Sequence, residues 1–149
     1  MSMCKMLIVC LTAFILIATL IACTSNGASG KVENVEISIG TSYKFSTEEI
    51  EEAINLVKER FVSSYKGCEL LQLWYAEIRS EREIDSYMQS GRGRTNGVCR
   101  ENVIVLFSTF STSSNVCMTL NQNSIYEGWS WVLIRDNENE PWRIDDVGW

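Results

Sequence analysis

The sequence predicts an α+β domain: one long amphipathic helix packed on a curved antiparallel sheet, with an apolar signal helix ahead of it. Three observations predict this. Ser46-Thr47-Glu48-Glu49 opens a stretch in which Ile50, Ala53, Ile54, Val57, Phe61 and Tyr65 recur at helical spacing. After it come strand-like runs at 70–78, 103–110, 125–135 and 142–147, separated by polar turn chemistry. Residues 6–20 are apolar apart from Thr12 and Thr19, with Lys5 as the only charge before them.

The helix reads most clearly. Ser46 can accept from the first-turn amides while Glu49 reaches back to the Ser46 N–H, the reciprocal arrangement of a capping box. Glu48 and Glu49 at the first turn suit the helix dipole. Gly67 supplies the stop. Glu51, Glu52, Lys58 and Glu59 cover much of the face opposite the apolar stripe. Upstream, Val32, Val35, Ile37 and Ile39 partly alternate with polar residues and predict a short lead-in strand or extended arm.

The strands differ in character. Residues 70–78 read as one strand, with Leu71, Leu73 and Tyr75 on one face and Leu70, Trp74, Ala76 and Ile78 on the other. A short helix over 80–90 would carry Ile84, Tyr87 and Met88, and 91–97 is a mobile surface loop. Residues 117–120 are a candidate to pair back before the next strand. Two strands are apolar on both faces. In one, Val103, Val105 and Phe107 oppose Ile104, Leu106 and Phe110; in the other, Trp129, Trp131 and Leu133 oppose Val132 and Ile134. A sheet with one wet face would alternate cleanly. This one is therefore covered on both sides, curved around a core, or used as an interface, including one for self-association. Trp131 and Trp142 are expected in the core; Trp129 and Trp149 stay open between core and a partner-binding face.

The N-terminal run ends in Leu20-Ile21-Ala22-Cys23 and is followed at once by Thr24-Ser25-Asn26-Gly27. This tetrapeptide resembles the processing site of bacterial lipoproteins. The resemblance implies a signal peptide over 1–22, acylation of the Cys23 thiol and a membrane-lipid anchor on the extracytoplasmic face of the cell membrane. Residues 23–32 then form a flexible tether and 33–149 a single domain. An uncleaved membrane helix is the alternative, but 6–22 lies near the lower limit for spanning, which takes about 20 apolar residues.

Composition narrows the chemistry. Removal of 1–22 leaves 127 residues of the 149, enough for one sizeable core, with 12 basic against 19 acidic residues and a formal charge of −7. That acidity argues against nucleic acid as a partner. Of the six cysteines, Cys4 and Cys10 leave with the signal and Cys23 takes lipid, so Cys68, Cys99 and Cys117 allow at most one internal pair. A Cys68–Cys99 bridge is one option; buried thiols acting as small hydrophobes are the other. Their spacing fits no zinc site. The chain has no histidine, which removes the commonest general base and metal ligand. No cofactor is expected.

The order helix, meandering sheet, Trp-rich hairpin is similar to the nuclear-transport-factor-2-like fold, and more closely to small uncharacterised lipoprotein domains of Gram-positive bacteria. Ile37-Ser38-Ile39-Gly40, Phe45-Ser46, Gly67-Cys68-Glu69-Leu70, Leu73-Trp74-Tyr75, 102–106, Tyr126, 129–136 and 142–148 carry the likeness, which covers most of 36–149. It implies a cone-like sheet wrapping the helix, often around a pocket, and no particular chemistry. Two functions follow as expectations. One is a noncatalytic domain that binds a protein, peptide or small ligand. The other is an enzyme resembling steroid-isomerase-type proton transfer, with a carboxylate and a tyrosine in the cone; Asp145, Asp146, Glu77 and Tyr75 are its candidates. Residues 136–140 lack the glycine and distal acid of a calcium loop and read as a hairpin turn. Residues 91–97 lack the spacing and the Lys-Ser or Lys-Thr of a phosphate loop, although two arginines there suit an anionic partner.

Overall fold

A computed structural model describes residues 29–116 and 118–148. The expected signal helix, Cys23 with its expected acylation, Cys117 and Trp149 lie outside the described residues. The elements in chain order are β1 (Glu36–Ile39), α1 (Thr47–Ser64), β2 (Cys68–Tyr75), α2 (Glu77–Ser90), a single turn α3 (Gly93–Asn96), a 3-10 turn (Arg100–Asn102), β3 (Val103–Thr112), β4 (Ile125–Ile134) and β5 (Arg143–Gly148). The strands form one five-stranded sheet in the order β1-β2-β3-β4-β5. Four of them meander antiparallel, but β1 runs parallel to β2, so the sheet is mixed rather than purely antiparallel. The physical reason is the crossover: α1 intervenes between β1 and β2 and returns the chain to the same end.

α1 begins on the capping box. The Ser46 hydroxyl accepts from the Glu49 amide at 3.2 Å and the Ser46 amide donates to Glu49 Oε2 at 2.8 Å. Its buried residues are Ile50, Ala53, Ile54, Val57 and Phe61. The helix ends at Tyr65, and Gly67 takes a positive φ of 78° beside the backbone of Asn115 and Val116.

The two-faced strands are explained by helices on both faces. On one, α1 packs on Leu70, Leu73, Tyr75, Ile104, Leu106 and Leu133, together with Phe110, Trp131 and Trp142. On the other, Ile84 and Tyr87 of α2 pack on Val103, Val105, Phe107, Val132 and Ile134. Covering the second face takes more helix than the sequence indicates. α2 starts at Glu77, and β2 ends at Tyr75, so Ile78 leaves the strand and is largely exposed.

Irregularities in the ladder set which side chains reach which face. β2 carries an extra residue at Leu71, between the pairs Leu70–Phe110 and Gln72–Thr109. A bulge reverses the alternation beyond it. Leu70 therefore joins Leu73 and Tyr75 in the α1 cluster, whereas strict alternation places it on the opposite face. On β5 the pairs Val132–Asp146 and Leu133–Ile144 leave Asp145 as the extra residue.

Three further expectations change. Residues 118–120 form bends and not a strand. Residues 30–32, assigned above to the tether, are tied to the fold. The Gly30 amide donates to Val62 O at 3.1 Å, and Lys31 exchanges backbone hydrogen bonds with the start of β2 through Cys68 O and the Leu70 amide. Cys99 is an exposed free thiol and Cys68 is buried, so no Cys68–Cys99 bridge forms.

Candidate functional site

Three places gather side chains able to bind or react. The first is a recess of about 290 Å³ at the C-terminal end of α1, lined by Arg60, Ser64, Tyr65, Met118, Trp131, Ile144 and the 145–147 stretch of β5. Its floor is aromatic and rigid. Tyr65 stacks on Phe61 with ring centroids 4.7 Å apart and tilts against Trp131 at 5.2 Å. Trp131 is fully buried and its Nε1 donates to the Ser108 hydroxyl at 2.9 Å, which satisfies both groups inside the core. The Tyr65 hydroxyl accepts from Trp129 Nε1 at 3.2 Å. Burial pushes its pKa up to about 12, against the opposing effect of that donor. The arrangement gives a fixed apolar wall with charged side chains near its rim, which suits recognition of a small apolar or amphipathic group. Trp129, left open in the sequence, packs against this cluster, partly buried.

The second place holds Asp145. Its side chain is 11% exposed, and its bulged position lets it reach α2 and α3. Oδ2 accepts from the Tyr87 hydroxyl at 2.7 Å and from Arg92 Nε at 3.1 Å, and Oδ1 accepts from Arg92 Nη2 at 3.3 Å. Asn96 Nδ2 donates to Tyr87 Oη at 2.6 Å. Burial and then the Asp145 carboxylate drive the Tyr87 hydroxyl far above the ordinary tyrosine range. This is a carboxylate–tyrosine pair, but Tyr87 belongs to the cluster on the α2 face, away from the aromatic floor of the recess. With its oxygens taken by Tyr87 and Arg92, the carboxylate works as a clamp on residues 91–97. That stretch is therefore bonded to β5 through Arg92 and Asn96 and includes a helical turn, in place of the loop the sequence predicts.

The third place is Tyr75 with Glu77. The Tyr75 hydroxyl donates to Glu77 Oε2 at 3.4 Å, near Ser42 Oγ at 3.5 Å, and the Tyr43 amide donates to the same carboxylate at 2.8 Å. The Ser42 hydroxyl, followed by the amides of Tyr43 and Lys44, lowers the Glu77 pKa, and burial raises that of Tyr75. A general base working near neutrality needs its carboxyl pKa raised. Glu77 is moved the other way. Asp146 is exposed and accepts from the neighbouring Val147 amide at 3.0 Å.

The four sequence candidates thus fall in different places: Tyr75 meets Glu77, Asp145 meets Tyr87, and Asp146 lines the recess beside Asp145. Tyr65 and Met118 of the recess and Tyr87, Arg92 and Asn96 of the clamp are the residues that sequence reasoning missed. Helical spacing signals Tyr65 and Tyr87, since each continues an apolar stripe. Nothing in the sequence signals the bulge that turns Asp145 toward them. Among the described residues no group of three or more His, Cys, Asp or Glu side chains is placed to hold a metal ion, and no helix is long and apolar enough to cross a membrane.

Fold and sites together define a small α+β domain with a helix on each face of a mixed sheet and an aromatic recess beside the first helix. Residues 19–148 match DUF4829, a domain of unknown function, and the chain belongs to that family. The matched span takes in Leu20 to Cys23 as well as the folded domain. No curated protein and no solved structure matches the chain.

Proposed function

We propose that this chain is a membrane-anchored extracytoplasmic lipoprotein, acylated at Cys23, whose domain is a noncatalytic binding module of the nuclear-transport-factor-2-like kind. The observation that carries the binding reading is the recess between α1 and β4–β5, with the buried Tyr65 and Trp131 packed beneath it and Arg60 and Ser64 on its α1 side. The carboxylate–tyrosine chemistry considered above has little support. Asp145 is held in an ion pair with Arg92, and Glu77 is tuned away from a base. The ligand class that fits is a small molecule or peptide side chain with an apolar body and a polar end, since Met118, Ile144 and Val147 line the recess beside Arg60, Ser64 and Asp146.

The binding reading is tested with 1-anilinonaphthalene-8-sulfonate as an apolar probe of the native domain. Saturable binding is expected, and Ser64→Trp, at an exposed position on the recess, removes it without moving the urea midpoint. Probe binding unaffected by Ser64→Trp refutes the assignment of the recess. The anchor is tested separately: Cys23→Ser should abolish fatty-acid incorporation and leave the precursor uncut. Fatty-acid labelling that persists in Cys23→Ser refutes it.

A further inference from the structure

The lipid anchor and the folded domain are joined by very little chain. Six residues separate Cys23 from Gly30. Gly30 is buried on α1: its amide donates to Val62 O, and a Cβ at that position would collide with the Phe61 carbonyl. Lys31 is then fixed to β2 by its backbone. The domain therefore hangs from one point at the C-terminal end of α1. Fully extended, the chain from Cys23 to Gly30 spans at most about 25 Å.

α1 rises from Thr47 to Val62, where Gly30 is bonded, over about 23 Å at 1.5 Å per residue. Turning the α1 N-terminus to the bilayer would need a tether drawn out almost to its full length, at a large cost in chain entropy. The charges point the same way. Near the attachment, Lys31, Lys58, Arg60 and Lys66 are balanced in number by Glu33, Glu59, Glu69 and the exposed Asp146 of the recess, close to neutrality. At the far end, exposed Glu48, Glu51 and Glu52 of α1 are joined by Asp136, Glu138 and Glu140 of the β4–β5 turn. The Arg135–Glu49 ion pair at 2.7 Å and the Trp142 Nε1 bond to Glu49 O at 3.1 Å hold that turn against α1. An anionic lipid surface repels this acidic pole within a Debye length, about 8 Å at physiological salt.

We propose that the domain is held in one orientation on the membrane. The C-terminal end of α1, with the Arg60–Ser64 side of the recess, faces the lipid, and the acidic pole around Glu48 and Glu140 faces away. This rests on the lipid anchor at Cys23. The partner surface is a bilayer containing anionic phospholipid, and the recess then opens beside the lipid–water boundary.

The experiment uses the acylated full chain in vesicles of phosphatidylethanolamine and phosphatidylglycerol that carry a headgroup nitroxide lipid. A fluorescent amino acid is placed at Ser64 or at Glu140, both exposed, and its quenching by the nitroxide is measured. Quenching several-fold stronger at Ser64 than at Glu140 is expected. Quenching at Glu140 equal to or above that at Ser64, in protein that floats with the vesicles, overturns the orientation and leaves the anchor intact. Failure of the protein to float with vesicles overturns the anchor and the orientation together.

Discussion

Substitution of Glu49 by Gln isolates one charge at a point where two elements meet. Glu49 closes the capping box of α1 and pairs with Arg135 at 2.7 Å. Arg135 is only 6% exposed; its guanidinium lies over the Trp142 ring at 4.3 Å, and its Nε has no hydrogen-bond partner. Gln can keep the hydrogen bond to the Ser46 amide. What Glu49→Gln removes is the counter-charge of a guanidinium that is otherwise buried. Breaking a fully buried pair costs about 3–5 kcal/mol. The Glu49 side chain is 30% exposed, so water relieves part of that, and a loss of about 2 kcal/mol is expected. Arg135→Met leaves a half-solvated carboxylate that keeps its helix-cap donor, and costs less. The double variant recovers part of the Glu49→Gln loss, because no buried charge remains.

The same pair sets a pH dependence. Burial alone would raise the Glu49 pKa, but the Ser46 amide and the Arg135 guanidinium outweigh it and lower the value. Folded Glu49 thus binds its proton less readily than unfolded Glu49. Its contribution is complete above the unfolded value, about 4.3, and is lost as pH falls through the folded value. Urea unfolding of the soluble domain from pH 3 to pH 7 measures both effects. The gap between wild type and Glu49→Gln should be widest near pH 7 and close toward pH 3. A gap that is absent at pH 7, or equally wide at pH 3, would refute the reasoning.

Three more outcomes are expected. Asp145→Ala leaves the Tyr87 hydroxyl and Arg92 without their acceptor; about 2 kcal/mol of stability should go, less than for a buried pair because Arg92 is 64% exposed. Amide exchange over 91–99 should accelerate with it, and unchanged protection there would show that the clamp does not hold that stretch. Tyr65 keeps its proton up to about 12, so its contribution is complete below the unfolded value of about 10 and is lost as pH rises between the two. Tyr65→Phe should flatten that part of the alkaline stability curve, and an unaltered curve counts against the shift. Gly67→Ala meets a φ of 78° and a carbonyl oxygen of Asn115 at 2.8 Å; a loss of about 2 kcal/mol in thermal unfolding is expected, and a neutral result would mean that the Asn115 loop can move aside.

Local patterns in the chain carry the elements well. The capping box and the Ile50 to Phe61 stripe locate α1, and the double apolar faces of β3 and β4 call for cover on both sides of the sheet, curvature around a core or an interface, without choosing among them. They do so because capping and amphipathic periodicity act within a few residues along the chain. α2 is legible only from Ser80 onward, three residues after its actual start at Glu77. Its first turn is polar, and its start depends on where β2 stops hydrogen-bonding to its neighbours. For the recess, helical spacing yields Tyr65 and strand alternation yields Trp131, but not that they meet. The Asp145 clamp is hidden altogether, because register and bulges are settled between strands.

By itself the sequence determined the class of fold, the helix α1, the acidity of the chain and the lack of histidine. It also supplied the Leu20–Cys23 motif on which the proposed anchor depends. Only the tertiary structure decided that β1 pairs parallel, that Leu70 turns inward at the Leu71 bulge, and that Asp145 pairs with Tyr87 and Arg92. It alone brought Gly30 onto the end of α1. The division has one physical reason. Propensity, capping and hydrophobic period are properties of neighbours in the chain, whereas strand register and the crossing of charged side chains between layers depend on residues far apart in sequence, whose contacts exist only once the sheet has closed on its helices.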